Sequence, residues 1–169
     1  MNVEILILRV VHILGGIIWV GTGVFMSFYL IPAVTQAGPI GAQVMSNLQK
    51  RKLMVVLPII ALLTILSGLR LMMIVSAGFG PGYFSSGSGR TYAISAIFAI
   101  TALVIGVVVS RPAHMKLAKL SLSAVSDKTS KELIQTEIKA LHTKATMSSA
   151  AATVLIILSA LGMAIARYM

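Results

Sequence analysis

The chain has 169 residues, 57% of them hydrophobic and only 11% charged, where a soluble domain carries about a quarter charged. Fourteen Lys+Arg against four Asp+Glu give a net charge of +10, but the charges sit in short loops beside apolar runs, which excludes a nucleic-acid-binding domain. There is no cysteine, so disulfides, thiolate metal sites and iron–sulfur clusters are excluded.

Read in chain order, four stretches are long and apolar enough to cross a hydrocarbon core, which needs about 20 helical residues. The first is Ile5–Ile31. It has Glu4 where a signal peptide has basic residues, and no small-x-small cleavage site, so it is expected to stay in the mature protein. Gly38-Pro39 then breaks the chain. Ile40, Val44, Met45 and Leu48 follow at helical spacing and place the start of the second helix well before its span, Leu53–Ser76. Pro58 within that span frees the carbonyl of Met54 and is expected to bend the helix. The Gly/Ser-rich stretch Ala77–Thr91 reads as a short irregular loop, and Tyr92–Val109 as the third span. A turn is expected near Ser126–Ser130, followed by a capping box, Thr129-Ser130-Lys131-Glu132. The stripe Leu133, Ile134, Ile138 and Leu141 leads from there into the fourth span, Ala145–Ala166. No period-2 pattern suggests a barrel. The expected fold is all-α, a single polytopic four-helix membrane bundle over residues 1–169.

Charge orients the bundle. Lys50, Arg51 and Lys52 precede the second span, and Arg111, Lys116, Lys119, Lys128, Lys131, Lys139 and Lys144 lie between the third and fourth. Only Arg9, Arg70, Arg90 and Arg167 lie on the other side. Both termini are therefore expected outside a bacterial-type cytoplasmic (inner) membrane, with helices 2, 3 and 4 extending into the cytoplasm. The lysine-rich hairpin is what this topology requires and does not imply lipid specificity. Small residues (Gly16, Gly23, Ala61, Thr64, Gly68, Ser95, Ala99, Ala102, Gly106, Ala152, Ser159 and Gly162) mark the packing faces.

Ionisable groups inside a span are costly and are functional candidates by default. Arg9 and His12 share a helix face with Gly16, Trp19 and Gly23. At 1.5 Å per residue, His12 and Arg70 both lie roughly 10 Å below the outer end of their spans. The arginines can snorkel to head groups, and a neutral His12 can bond a backbone carbonyl or a serine. Alternatively the outer half of the bundle holds a ligand: imidazole ligates iron or copper, and guanidinium pairs with carboxylates. Haem b, with iron on His12 and propionates on Arg9 and Arg70, satisfies both features. A sixth ligand would come from Met72, Met73 or Met163, and the same His-plus-Met set suits Cu(I). With ten methionines in the chain, Met is also a routine apolar filler.

His114 and His142 lie opposite one another across the expected hairpin. They can be interfacial residues or a second metal or haem-edge site, too far from His12 to share its ion. Gly87-Ser88-Gly89-Arg90-Thr91 lacks Walker spacing and its lysine. The four acids (Glu4, Asp127, Glu132, Glu137) all fall outside the spans, which argues against a carboxylate-based proton or cation carrier.

The segment Arg9-Val-Val-His12-Ile-Leu-Gly-Gly-Ile-Ile-Trp19-Val-Gly21 resembles the opening helix of a broad bacterial group of membrane proteins. That group includes CopD-type copper-resistance proteins, HemJ-type protoporphyrinogen oxidases and related small four-helix proteins. Lys50-Arg51-Lys52 and Arg111-Pro112 fit the same layout. The resemblance implies a haem or metal ligand at His12, and an oxidoreductase or copper-handling role. Three readings follow. The first is haem b binding for electron transfer or porphyrin handling near the outer face, with Trp19 beside the ring and a possible redox partner. The second is copper handling. The third is a cofactor-free structural subunit of a larger membrane complex.

Overall fold

The computed structural model describes residues 2–123 and 131–169, and over them the chain is helical with short connections. Helix α1 runs over Val3–Gln36, capped by Asn2, whose Oδ1 accepts from the Glu4 amide at 3.0 Å. It is α-helical over Val3–Val24, π-helical over Phe25–Leu30 and α-helical again over Ile31–Gln36. Helix α2 is Pro39–Lys50, α3 is Leu53–Val75 and continues through Pro58, and α4 is the short Pro81–Ser85. Helix α5 covers residues 87–123, with a second π-helical stretch at Ile105–Ser110 between Gly87–Val104 and Arg111–Ser123. Helix α6 is Lys131–Ile165, closed by a 3-10 turn at Ala166–Tyr168.

Among the described residues four helices, α1, α3, α5 and α6, are long and apolar enough to cross a membrane. The fold is an all-helical, multi-pass membrane architecture. Helix α1 packs chiefly on α3 and α5 chiefly on α6, while α6 also meets α1 and α3 meets α5.

Two local expectations change. Residues 39–50 form a helix of their own and do not run on into the second span, because Lys52 adopts a left-handed conformation (φ 61°) that ends one helix and starts the next. The Gly/Ser stretch before the third span is not wholly irregular. Ser86 Oγ accepts from the Gly89 amide at 3.0 Å, an N-cap that starts α5 at Gly87. The turn near Ser126–Ser130 and the start of the capping box at Thr129-Ser130 lie outside the described residues.

The core is inverted relative to a soluble protein. Buried positions are small or hydroxylated: Ala61, Ala99, Ala102, Ala145, Thr64, Ser67, Ser95, Thr153 and Ser159. The largest side chain less than 2% exposed is Ser95. Leucines, isoleucines and valines point outward, as at Ile7, Ile17, Leu63, Ile97 and Leu161. Lipid is as apolar as Leu, so nothing drives large side chains inward, and close backbone approach decides which faces meet. Gly15 sits against Thr64 Oγ1 and Gly162 against Ser95 Oγ, while Gly23 leaves 2.7 Å between a would-be Cβ and Ile156 Cδ1. A Cβ on Gly106 would meet nothing within 4 Å, so no close approach requires glycine there.

Hydroxyls then tie the helices together. Ser159 Oγ donates to the Ser95 carbonyl at 2.8 Å, joining α6 to α5. Both π-helical stretches present a serine to α6: Ser27 lies 2.7 Å from Thr153 Oγ1, and Ser110 donates to Ser148 Oγ at 2.9 Å. Interhelical bonds of this kind contribute about 0.6 kcal/mol each in membranes.

The α1–α2 corner supplies a direct test. A Cβ on Gly41 would collide with the carbonyl of Val34, a backbone group that cannot rotate away. Gly41→Ala is expected to destabilise the fold by about 1–3 kcal/mol, read as a lowered Tm in detergent. Gly21→Ala, where nothing lies within 4 Å, should leave Tm unchanged or raised.

Candidate functional site

His12 projects from α1 onto α3. Its Nδ1 lies 2.7 Å from the carbonyl oxygen of Thr64. A carbonyl only accepts, so Nδ1 carries a proton, and of the two neutral tautomers the contact selects the one with its lone pair on Nε2. Among the described residues Nε2 makes no hydrogen bond. The ring lies on Gly68: a Cβ there would be 2.5 Å from Cε1 and 2.8 Å from Nδ1. Glycine at this position is therefore what admits an imidazole between the two helices.

Thr64 completes the joint. Its hydroxyl donates to the Ile60 carbonyl at 2.8 Å and packs on Gly15, while a Cβ on Gly16 would lie 3.9 Å from its methyl. Ser67 Oγ donates to the Leu63 carbonyl at 2.7 Å and lies 3.0 Å from the Thr64 carbonyl. The interhelical donor to the Thr64 carbonyl is His12.

The arginines diverge in their roles. Arg70 is paired with Glu4, Nη2 at 2.7 Å and Nε at 2.8 Å from Oε1. The pair is 44% and 47% exposed at the side chains, so in water it would contribute no more than about 1 kcal/mol. Arg9 is exposed and has no hydrogen bond or ion pair among the described residues. Trp19 is half-buried two turns along α1 from His12. Met72 and Met163 are half-buried, and Met73 is 37% exposed. Residue 72 falls one turn beyond Gly68 on α3.

The other two histidines bond to hydroxyls on other helices. His114 Nε2 is 3.0 Å from Ser149 Oγ, and His142 Nε2 is 3.2 Å from Thr35 Oγ1. Among the described residues no group of three or more His, Asp or Glu side chains converges on a common point. A bare ion that needs three or four protein ligands therefore finds no such set there. The donation from Nδ1 to a carbonyl is the arrangement that fixes a ligating imidazole's tautomer and orientation.

The sequence singles out His12, Arg9 and Arg70 but not the pairing of Glu4 with Arg70. Of the two partners open to His12, a backbone carbonyl or a serine, the structure has the carbonyl, that of Thr64. The hydroxyl set Ser27, Ser110, Ser148 and Ser149 around α6 had only its composition as a signal. No family model, curated protein or solved structure matches the chain.

Gly68→Ala tests the joint. The added methyl must push the His12 ring off α3 or part the helices, with an expected loss of about 1–3 kcal/mol. ¹⁵N spectra of the wild type should show His12 protonated at Nδ1 and bare at Nε2, and this pattern should be lost in Gly68→Ala. A wild-type ring protonated at Nε2 instead would overturn the assigned tautomer.

Proposed function

We propose that this protein is a haem-b-binding, multi-pass membrane protein that serves electron transfer or porphyrin handling, and that His12 would hold the haem iron through Nε2. The observation that carries this reading is the 2.7 Å contact of His12 Nδ1 with the Thr64 carbonyl, which leaves the second ring nitrogen as a free base held at a fixed angle. Haem, when bound, would supply the redox chemistry. The chain's own residues would do the holding. Arg9 is a guanidinium without a partner among the described residues and would receive a carboxylate. Arg70 already shares two nitrogens with Glu4 and would offer the remaining Nη1. Gly16 and Trp19 lie on the His12 face of α1, where Trp19 would flank a planar ring.

The same reading carries the resemblance of the first helix to CopD-type and HemJ-type proteins, and the distribution of basic residues. It places both termini outside a bacterial-type inner membrane and the lysine-rich ends of the bundle in the cytoplasm. A redox partner or larger membrane complex would then act at the outer face.

A second reading has an observation of its own. The His12 ring fills the space that Gly68 leaves open and bonds across the α1–α3 interface, as a helix clamp in a cofactor-free structural subunit would.

Absorption spectra of the detergent-purified protein, oxidised and dithionite-reduced, with metal analysis of the same sample, separate these readings. Under the haem reading a Soret band sharpens on reduction, and His12→Ala loses haem while its helical circular dichroism is unchanged. Undiminished haem in His12→Ala would sink the assignment of the ligand. Stoichiometric copper without a Soret band would replace haem by copper on His12 with Met72, Met73 or Met163. A flat spectrum without metal would leave the clamp.

A further inference from the structure

The lysine-rich end of α5 carries a second feature, independent of His12. A cavity of about 420 Å³, open to the surface, is lined by Val107, Arg111, Pro112, Met115 and Lys116. The opposite face of the same helix is occupied: Ala113 is buried, Ser110 bonds Ser148, and His114 bonds Ser149. The cavity therefore lies on the side of α5 turned away from those α6 contacts, continuous with the exposed valines Val104 and Val108. Val107 and Met115 lie one turn either side of Arg111 along the helix, and Lys116 is beside Met115.

Arg111 is the unusual member. Its Nε is buried and has no hydrogen-bond partner, and no ion pair to its guanidinium occurs among the described residues. A buried donor without an acceptor is costly, and a charged one more so. The two acids whose side chains are described are already engaged. Glu4 pairs with Arg70, and Glu137 pairs with Lys116 at 2.7 Å. Lys116, 60% exposed, can turn from Glu137 towards an anion at the cavity mouth.

From this arrangement we infer that the Arg111 cavity is a binding site for the head group of an anionic phospholipid. The phosphodiester accepts from the Arg111 guanidinium, Lys116 adds a second cation, and the acyl chain lies along Val107 and the exposed Val104 and Val108. The guanidinium fork suits a phosphate's oxygens. Basic pockets at the ends of membrane helices recognise anionic head groups in this way. The apolar walls favour a phosphate that brings its own hydrocarbon over a free phosphate ion. The charge of the Lys-rich hairpin as a whole follows from topology, whereas the orphaned Nε of Arg111 is a property of one site.

The test uses the full chain reconstituted in phosphatidylcholine vesicles that contain traces of spin-labelled phosphatidylglycerol or spin-labelled phosphatidylcholine. The motionally restricted fraction of each label is measured. The wild type is expected to restrict phosphatidylglycerol preferentially, and Arg111→Gln to weaken that preference roughly five-fold, the effect of removing one basic residue near a membrane surface. Lys116→Gln should weaken it in the same direction, so the site stays testable if Arg111→Gln does not fold. Glu137→Gln, which releases Lys116, should strengthen it. Equal restriction of the two labels by the wild type would overturn the site, as would an unchanged preference in both Arg111→Gln and Lys116→Gln. Displacement of the label by millimolar inorganic phosphate would overturn the lipid in favour of a free phosphate ligand.

Discussion

The carbonyl of Thr64 accepts from His12 on α1, while the Thr64 side chain closes on Gly15. These contacts join two helices that share almost no buried large side chains. The underlying constraint is that of any bundle in lipid. Leucine gains nothing by moving from lipid to a helix interface, so association depends on backbone approach and on polar groups that would otherwise lack partners. Thr64 provides both at once, and its position opposite Gly15 fixes the level at which α1 and α3 meet. That level determines which α3 residue faces His12, and Gly68 is the one that leaves room for a ring.

The same logic extends around the bundle. Helix α6 is the hub for hydroxyl bonding, with Ser148, Ser149, Thr153 and Ser159 meeting α1 or α5. The π-helical stretches in α1 and α5 contribute Ser27 and Ser110 to this set. A π turn takes one more residue than an α turn and rotates the register of everything beyond it. Gly23 before the stretch and Ser27 within it both meet α6, whereas the earlier residues His12 and Gly15 face α3. One long helix thereby serves two neighbours.

Charge is handled differently at the two ends. At the terminal end Arg70 is neutralised by Glu4, and Arg9 is left exposed. At the lysine-rich end Lys116 is held by Glu137 while Arg111 has a buried nitrogen with no acceptor. With four acids for fourteen bases, most cations must look beyond the chain for counter-charge, and the bilayer is the nearest source.

Composition and hydropathy alone determined that this is an all-helical, multi-pass protein with four long apolar helices, because a hydrocarbon solvent imposes about 20 apolar residues per crossing irrespective of how the helices pack. The small residues that form the core were legible for the same reason: Ala61, Thr64, Ser95, Ala99, Ala102 and Ser159 stand out against Leu and Ile. His12 was legible because an ionisable ring in a span is rare. Only the tertiary structure decided that Gly15 makes the closest approach to Thr64 where Gly16 was expected to pack, that a Cβ on Gly106 would meet open space, and that Lys52 separates α2 from α3. It also decided that His12 is held by a main-chain oxygen and that Glu4 belongs to Arg70. These outcomes depend on helix rotation and relative height to within a single residue. Hydropathy averages over a whole span and carries no information about either, and a backbone acceptor has no side-chain signature to read.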